Sequence, residues 1–280
     1  MDKIWLKNYP AGVPHDVDPE QYRSAAHLLE EAMRKHASSP FSVCMERWMT
    51  YGELDRYSAA LGAWLQGQGL EPGARVAIML PNVPQFAVTM AAVLRAGYTC
   101  VNVNPLYTAR ELEHQLKDSG ATAIVILENF AHTLSEVIDH TGIRHVVMAS
   151  MGDLLGFWYG QWITFAVRHL AKMVPAYELP LSGGRKVTSF KKALALGARR
   201  TLQPSQANHD SIAFLQYTGG TTGLSKGAVL THRNIIAATL QAEAWFTPAL
   251  SKIGDLSKAN SIAALPLYHI FALTLCLLAI

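Results

Sequence analysis

Residues 75–105 read RVAIMLPNVPQFAVTMAAVLRAGYTCVNVNP. Residues 75–80 form a short apolar run suited to a strand buried on both faces, and Pro81-Asn82-Val83-Pro84 is a turn. Residues 85–96 repeat apolar side chains at helical spacing and stop at Gly97; residues 98–104 form a second strand, which Pro105 breaks. Strand, helix and strand within about thirty residues make a βαβ unit. The rhythm continues downstream. Thr108-Ala109-Arg110-Glu111 is a capping box that opens a helix ending near Ser119-Gly120. Residues 122–127 read as a strand, 130–140 as a helix and 145–149 as another strand. Upstream, Ser24 precedes a helical pattern carried by Ala25, Leu28, Leu29, Ala32 and Met33. Residues 41–48 read as a short strand. Thr50-Tyr51-Gly52-Glu53 is a second capping box, heading a helix that buries Leu54, Tyr57, Leu61, Trp64 and Leu65 and stops at 67–69. Alternating strands and helices of this length specify an α/β fold with a mostly parallel sheet covered on both faces.

Composition narrows the partners. The 280 residues are half hydrophobic and only 16% charged, against about a quarter charged in an ordinary soluble domain. That leaves much apolar surface to bury in a core, a ligand tunnel or a lipid face. The net charge of +3 is too mild for nucleic acid and is compatible with anionic ligands or anionic lipid. Cys44, Cys100 and Cys276 are odd in number and widely spaced, which fits a reducing cytoplasm and no zinc site. The histidines form no metal-ligand pattern such as H-E-x-x-H.

Two stretches stand apart from this rhythm. Residues 154–167 carry no charge and include Phe157, Trp158, Tyr159, Trp162 and Phe165. The segment is shorter than the roughly twenty residues that span a bilayer. It reads as a helix docked on the domain's own apolar surface, in preference to an aromatic helix lying in a membrane interface. Residues 182–210, with Gly183-Gly184 and scattered lysines and arginines, read as a solvated connector.

Gln216-Tyr217-Thr218-Gly219-Gly220-Thr221-Thr222-Gly223-Leu224-Ser225-Lys226-Gly227 carries the chemistry. Glycines let successive N–H groups point into one concavity, hydroxyls add donors, and the lysine adds a mobile positive charge. These suit an anion with many oxygens, most simply a nucleotide triphosphate. Ser225 precedes the lysine and Gly227 follows it, so the spacing is not that of a Walker A loop. Thr231 then caps a helix over 232–245, in which His232 serves helix-start packing. Residues 260–267 read as a strand leading to Tyr268-His269. The chain stops inside an apolar run, 272–280, and is expected to be a fragment of a longer one.

The stretch from Tyr217 to Gly227 resembles the phosphate-loop signature of the adenylate-forming superfamily, [YF]-T-[SG]-G-[ST]-T-G-x-[PS/A]-K-G, in which proline is commoner where Ser225 stands. Asn102-Val103-Asn104-Pro105-Leu106-Tyr107, Glu111-Leu112-Glu113-His114 and Leu265-Pro266-Leu267-Tyr268-His269-Ile270-Phe271 resemble bacterial long-chain fatty-acid–CoA ligases. The resemblance implies the N-terminal part of the large domain. Residues 1–150 are then a first βαβ subdomain, 151–210 an aromatic segment and basic connector, and 211–280 the phosphate loop and the start of a second subdomain. It implies ATP-dependent activation of a fatty acid to an acyl-adenylate, then thioester formation with coenzyme A.

On the same resemblance Tyr217, Thr218, Gly219, Gly220, Thr221, Thr222, Gly223, Ser225, Lys226 and Gly227 hold ATP. Lys226 steadies the pyrophosphate leaving group, and Thr218 touches Mg2+. Tyr268 and His269 border the acyl pocket, with His269 near the substrate carboxylate. The family's adenine segment, magnesium-binding glutamate, ribose-binding aspartate, hinge and catalytic lysine normally follow this region, so the fragment alone is expected to be inactive. A cytoplasmic enzyme is implied, with peripheral contact on the inner face of the membrane as an extension. Competing readings are a ligase for a medium-chain or aryl acid and a non-catalytic nucleotide-binding or membrane-associated module.

Overall fold

The computed structural model describes residues 3–218, 225–253 and 260–279. Helix α1 (Ala25–Lys35) begins at Ser24, whose side chain accepts from the His27 N–H as an N-cap. Strands β1 (Pro40–Cys44) and β2 (Arg47–Thr50) form an antiparallel hairpin in which Cys44 faces Arg47. The sequence suggested one strand here. Met45 and Glu46 both take positive φ, 46° and 62°, which is the conformation of a two-residue hairpin turn. Without glycine or asparagine the pair gives no turn signal.

Helix α2 (Tyr51–Gln66) and helix α4 (Ala109–Ser119) carry the two expected capping boxes, Thr50 with Glu53 and Thr108 with Glu111. Between them lie β3 (Arg75–Met79), α3 (Pro84–Arg95) and β4 (Thr99–Asn102). They are followed by β5 (Ala123–Leu127), α5 (Ala131–Val137) and β6 (His145–Ala149). Helix α6 (Phe157–Phe165) runs into a π-helical turn, Ala166–Leu170.

The stretch read as a solvated connector is instead structural. It supplies β7 (Lys186–Ser189), which pairs with β6, and α7 (Phe190–Gly197), whose Phe190 and Ala193 are wholly buried. Two of its basic residues are used locally. Arg185 bonds Asp139 at 2.9 Å and the carbonyls of Ile138, Ile143 and Pro180, and Lys191 faces Asp153.

Strands β8 (Ile212–Thr218) and β9 (Lys226–Thr231) close a seven-stranded sheet of order β7-β6-β5-β3-β4-β8-β9, followed by helix α8 (His232–Leu250). All pairings in it are parallel except β8 with β9, so the α/β reading holds. Alternate residues feed two cores. Val76, Ile78 and Leu80 pack with α1, α2, α3 and α7 on one face, while Ala77, Met79 and Val101 pack with α4 and α5 on the other. Strands covered on both faces are apolar throughout, which is why they were legible as runs.

Residues 260–267 do not form the expected strand. The Asn82 side chain takes the part of a neighbouring strand: its amide donates to Ala263 O and Leu265 O at 2.8 Å, and its oxygen accepts from Leu267 N–H at 2.8 Å. Pro266 has no N–H for a ladder. A short helix α9 (Ile270–Ala272) follows, continuing as a π-helical turn, Leu273–Leu278.

Two tests follow from the packing. A Cβ on Gly197 would lie 1.8 Å from the Ala60 carbonyl oxygen. Gly197→Ala, which at an open helix position gains about 1 kcal/mol, is expected here to cost about 1–3 kcal/mol, read as a lower urea midpoint. The second concerns His232, buried with Nδ1 accepting from the Ala25 N–H at 3.1 Å. Burial, with the His209 imidazole as a lesser cause, pushes its pKa from 6.5 down to about 4. The unfolded chain therefore binds this proton first as pH falls. The stability it contributes is full above about pH 6.5 and is lost towards pH 4, by about 3 kcal/mol. Urea titrations at both ends of that window should show a smaller acid loss in His232→Gln than in the native chain.

Candidate functional site

The β8–β9 pair is an antiparallel ribbon at the edge of the sheet, with Gln216 opposite Ala228, Tyr217 opposite Gly227 and Thr218 opposite Lys226. Gly219, Gly220, Thr221, Thr222 and Gly223, which the sequence assigns to the phosphate loop, lie outside the described residues. The ribbon fixes where that loop leaves and returns. Thr218 and Lys226 are both exposed at its tip, and Ser225 is half-buried beside Lys226.

The cross-strand pair Tyr217–Gly227 explains one glycine. A Cβ at Gly227 would lie 2.9 Å from the Tyr217 ring. The aromatic ring covers the side-chain-free position, as aromatics do opposite strand glycines. Tyr217 hydroxyl donates to Asp118 Oδ2 at 2.5 Å. Burial, reinforced by the Asp118 hydrogen bond and charge, raises the phenol far above its ordinary range, so it remains a donor at any working pH.

Helix α4 also holds the far stem. His114 Nε2 lies 3.1 Å from Ser225 O; a carbonyl only accepts, so Nε2 carries the hydrogen and donates. Tyr107, ahead of α4, shares a side-chain hydrogen bond with Ser225, and burial raises its phenol. Asp118 therefore steadies the outgoing strand, and His114 and Tyr107 the returning one. None of the three was assigned a role from the sequence; the contacts join residues about a hundred positions apart, for which local pattern carries no signal.

A second set of contacts ties Tyr268 to this ribbon. Gln216 Nε2 donates to Tyr268 O at 3.0 Å, and Gln216 Oε1 accepts from Asn102 Nδ2 at 3.1 Å. Gln115 Nε2 donates to Asn102 O at 2.7 Å. With Asn82 gripping residues 263–267, amides at the carboxyl ends of β3, β4 and β8 seat the strip that ends in Tyr268 and His269. Polar side chains in otherwise apolar buried strands are the signal that could have found them. His269 is exposed, and its Nδ1 accepts from the Phe271 N–H at 3.4 Å as the cap of α9. That fixes the hydrogen on Nε2 and leaves Nε2 free of the cap. The structure thus brings Thr218, Ser225, Lys226, Tyr268 and His269 to one edge of the sheet, where open α/β sheets bind ligands.

Among the described residues no cluster of three histidine, cysteine or carboxylate side chains could hold a metal. The chain fits a magnesium ion only as one carried largely by nucleotide oxygens, with a hydroxyl such as that of Thr218 as its contact. A separate cleft of about 930 Å³, lined in part by Glu20, Arg23, His27, Arg95 and His209, lies at the amino-terminal end of β8, away from the ribbon tip.

Comparison with known proteins identifies the family and the fold. The chain is 49% identical over its whole length to a long-chain-fatty-acid–CoA ligase of Yersinia pestis, of which it covers 49%. It is 47% identical to one of Escherichia coli O157:H7, again over all of this chain and 49% of the relative. The chain therefore spans about half the length of the curated relatives it matches. A crystal structure of a long-chain-fatty-acid–CoA ligase from Archaeoglobus fulgidus superposes with a TM-score of 0.66 at 22% identity, covering 97% of this chain and 48% of that one; it shows the shared fold. Residues 29–280 match the family described as AMP-binding enzyme, and the chain belongs to that family.

Proposed function

We propose that this chain is the N-terminal part of a ligase that activates long-chain fatty acids, first to acyl-adenylates with ATP and then to coenzyme A thioesters. One observation carries the reading: the ribbon bearing Thr218 and Lys226 and the strip bearing Tyr268 and His269 are tied together through Gln216. The named relatives, identical at nearly half the positions, support the acyl substrate.

In the first step a carboxylate oxygen of the fatty acid attacks the α-phosphorus, and the bond to pyrophosphate breaks. Charge grows on the leaving oxygens. A flexible ammonium at Lys226, with the backbone and hydroxyl donors of Thr218, Gly219, Gly220, Thr221, Thr222, Gly223, Ser225 and Gly227, suits that charge, while Tyr217 holds the stem. Thr218 is the residue that would hold a magnesium ion, which when bound would supply further neutralisation of the phosphates. His269 Nε2 is a donor for the acyl carboxylate, and Tyr268 is wall to the chain. In the second step the coenzyme A thiolate attacks the acyl carbon and AMP leaves. On this reading the chain supplies the phosphate cradle and part of the acyl wall. The reading places the protein in the cytoplasm, with peripheral contact at the inner face of the membrane, where an insoluble acid is met.

Pyrophosphate exchange in the complete protein, run over a series of acids, tests the substrate class. Exchange should be strongest with C12–C18 acids; exchange with aryl or medium-chain acids alone would overturn the long-chain assignment. In the same assay Lys226→Ala should lower the adenylation rate by about 100-fold or more with little change in fatty-acid KM, as expected of a donor whose contact tightens in the transition state. His114→Ala should raise the ATP KM by about fivefold, the worth of one hydrogen bond, with thermal stability near native. His114→Gln should restore part of the loss; an unchanged KM would remove His114 from the loop's support.

A further inference from the structure

Helix α6 is seated the wrong way round for a core helix. Its buried residues are Gly160 and Thr164, one helical turn apart, and they rest on the turn at Gly152. A Cβ on Gly152 would lie 1.9 Å from Gly160 O, and one on Gly160 would lie 2.1 Å from Gly152 O. The backbones meet directly, so the small stripe faces inward and the aromatic side chains are turned out. Phe157 is 67% exposed, Trp158 83%, Trp162 57% and Phe165 48%. The expectation that these aromatics dock on the domain's own surface is thereby overturned. They pack on one another instead: Phe157 and Trp158 meet edge-on at 4.9 Å, and Trp162 and Phe165 stack at 6.0 Å.

The charges around this face are sorted. Glu128 is buried and held by Arg168 at 2.6 Å, and the carboxylate of Asp153 is turned inward to Ser150 N–H and Lys191. On the adjoining turn the outward-facing charge is cationic, Lys172, with Leu170 and Met173 exposed beside it. The exposed acid following in the chain is Glu178. An aromatic platform rimmed by lysine matches the boundary layer of an anionic bilayer, where Trp and Phe sit at headgroup depth and cations meet lipid phosphates. A second copy of the same face would instead bring like charges together. No helix among the described residues is long and apolar enough to cross a membrane, so contact through α6 is peripheral.

We infer that the outward face of α6, Phe157, Trp158, Trp162 and Phe165 with Lys172 at its rim, is a docking surface for an anionic phospholipid bilayer. This gives a location to the lipid contact of the function proposed above. Helix α6 follows the carboxyl end of β6, and the strip with Tyr268 and His269 lies at the carboxyl ends of β3, β4 and β8. Because these strands are parallel, both features lie at the same edge of the sheet. Docking by α6 turns the acyl-facing edge towards the lipid that holds the substrate.

Co-sedimentation of the full chain with vesicles of phosphatidylcholine alone, or mixed three to one with phosphatidylglycerol, tests the surface without ATP or fatty acid, so its outcome is separate from that of the ligase reading. The native chain should partition to the mixed vesicles, with a blue shift of tryptophan emission. The triple variant Trp158→Ser, Trp162→Ser, Phe165→Ser, changed only at exposed positions, should partition at least about tenfold less with an unchanged circular dichroism spectrum. Lys172→Glu, with the aromatics intact, should lose about threefold on mixed vesicles and little on neutral ones. The inference is overturned by absence of native binding to either vesicle or by equal binding of native and triple variant. It is also overturned if light scattering shows a native dimer that the triple variant dissolves while neither binds lipid.

Discussion

The bond from Tyr217 to Asp118 is the contact on which the site's geometry depends. It holds the last turn of β8 against α4 and sets the Tyr217 ring over Gly227, so that β9 returns in register to Lys226. A two-stranded ribbon at a sheet edge is marginal by itself and needs packing on at least one face. Here α4 supplies it at both stems, through Asp118 on one and His114 with Tyr107 on the other. Thr218 and Ser225, the described residues on either side of the glycine-rich segment, are thereby held at fixed positions.

The same edge is organised by amides. Asn82, Asn102, Gln115 and Gln216 are placed where parallel strands end and their carbonyls would otherwise lack partners. Asn82 and Gln216 both donate and accept, while Asn102 and Gln115 donate only, and these neutral amides span from backbone to side chain without burying a charge. Through it the strip ending at Tyr268 and His269 is located by β3, β4 and β8, although no ladder joins it to the sheet. One scaffold thus positions two groups that arrive from distant parts of the chain.

Much of this was legible in the sequence, and the reasons are physical. Residues 75–80 and 122–127 declare themselves as strands because both faces are covered, and Thr50-Glu53 and Thr108-Glu111 declare helix starts because capping is local. The hairpin at Met45-Glu46 was missed because its residues lack the usual turn chemistry. The β7–α7 unit was missed because its basic residues suggested solvent, whereas Arg185 is consumed by Asp139 and by carbonyls. The orientation of α6 was misjudged because hydrophobicity identifies no face on a helix that is apolar all round; only the contact of Gly152 with Gly160 settles it. Lys226 and His269 were singled out by motif, but Asp118, His114 and Gln216 become visible only when distant segments are brought together.

Hydrogen exchange of the full chain with and without Mg-ATP tests most directly whether the ribbon and α4 form a nucleotide site. The account predicts slowed exchange at the amides of residues 216–227 and at the face of α4 that carries His114 and Asp118. Protection confined to the cleft around Glu20, Arg95 and His209, or none anywhere, would contradict it.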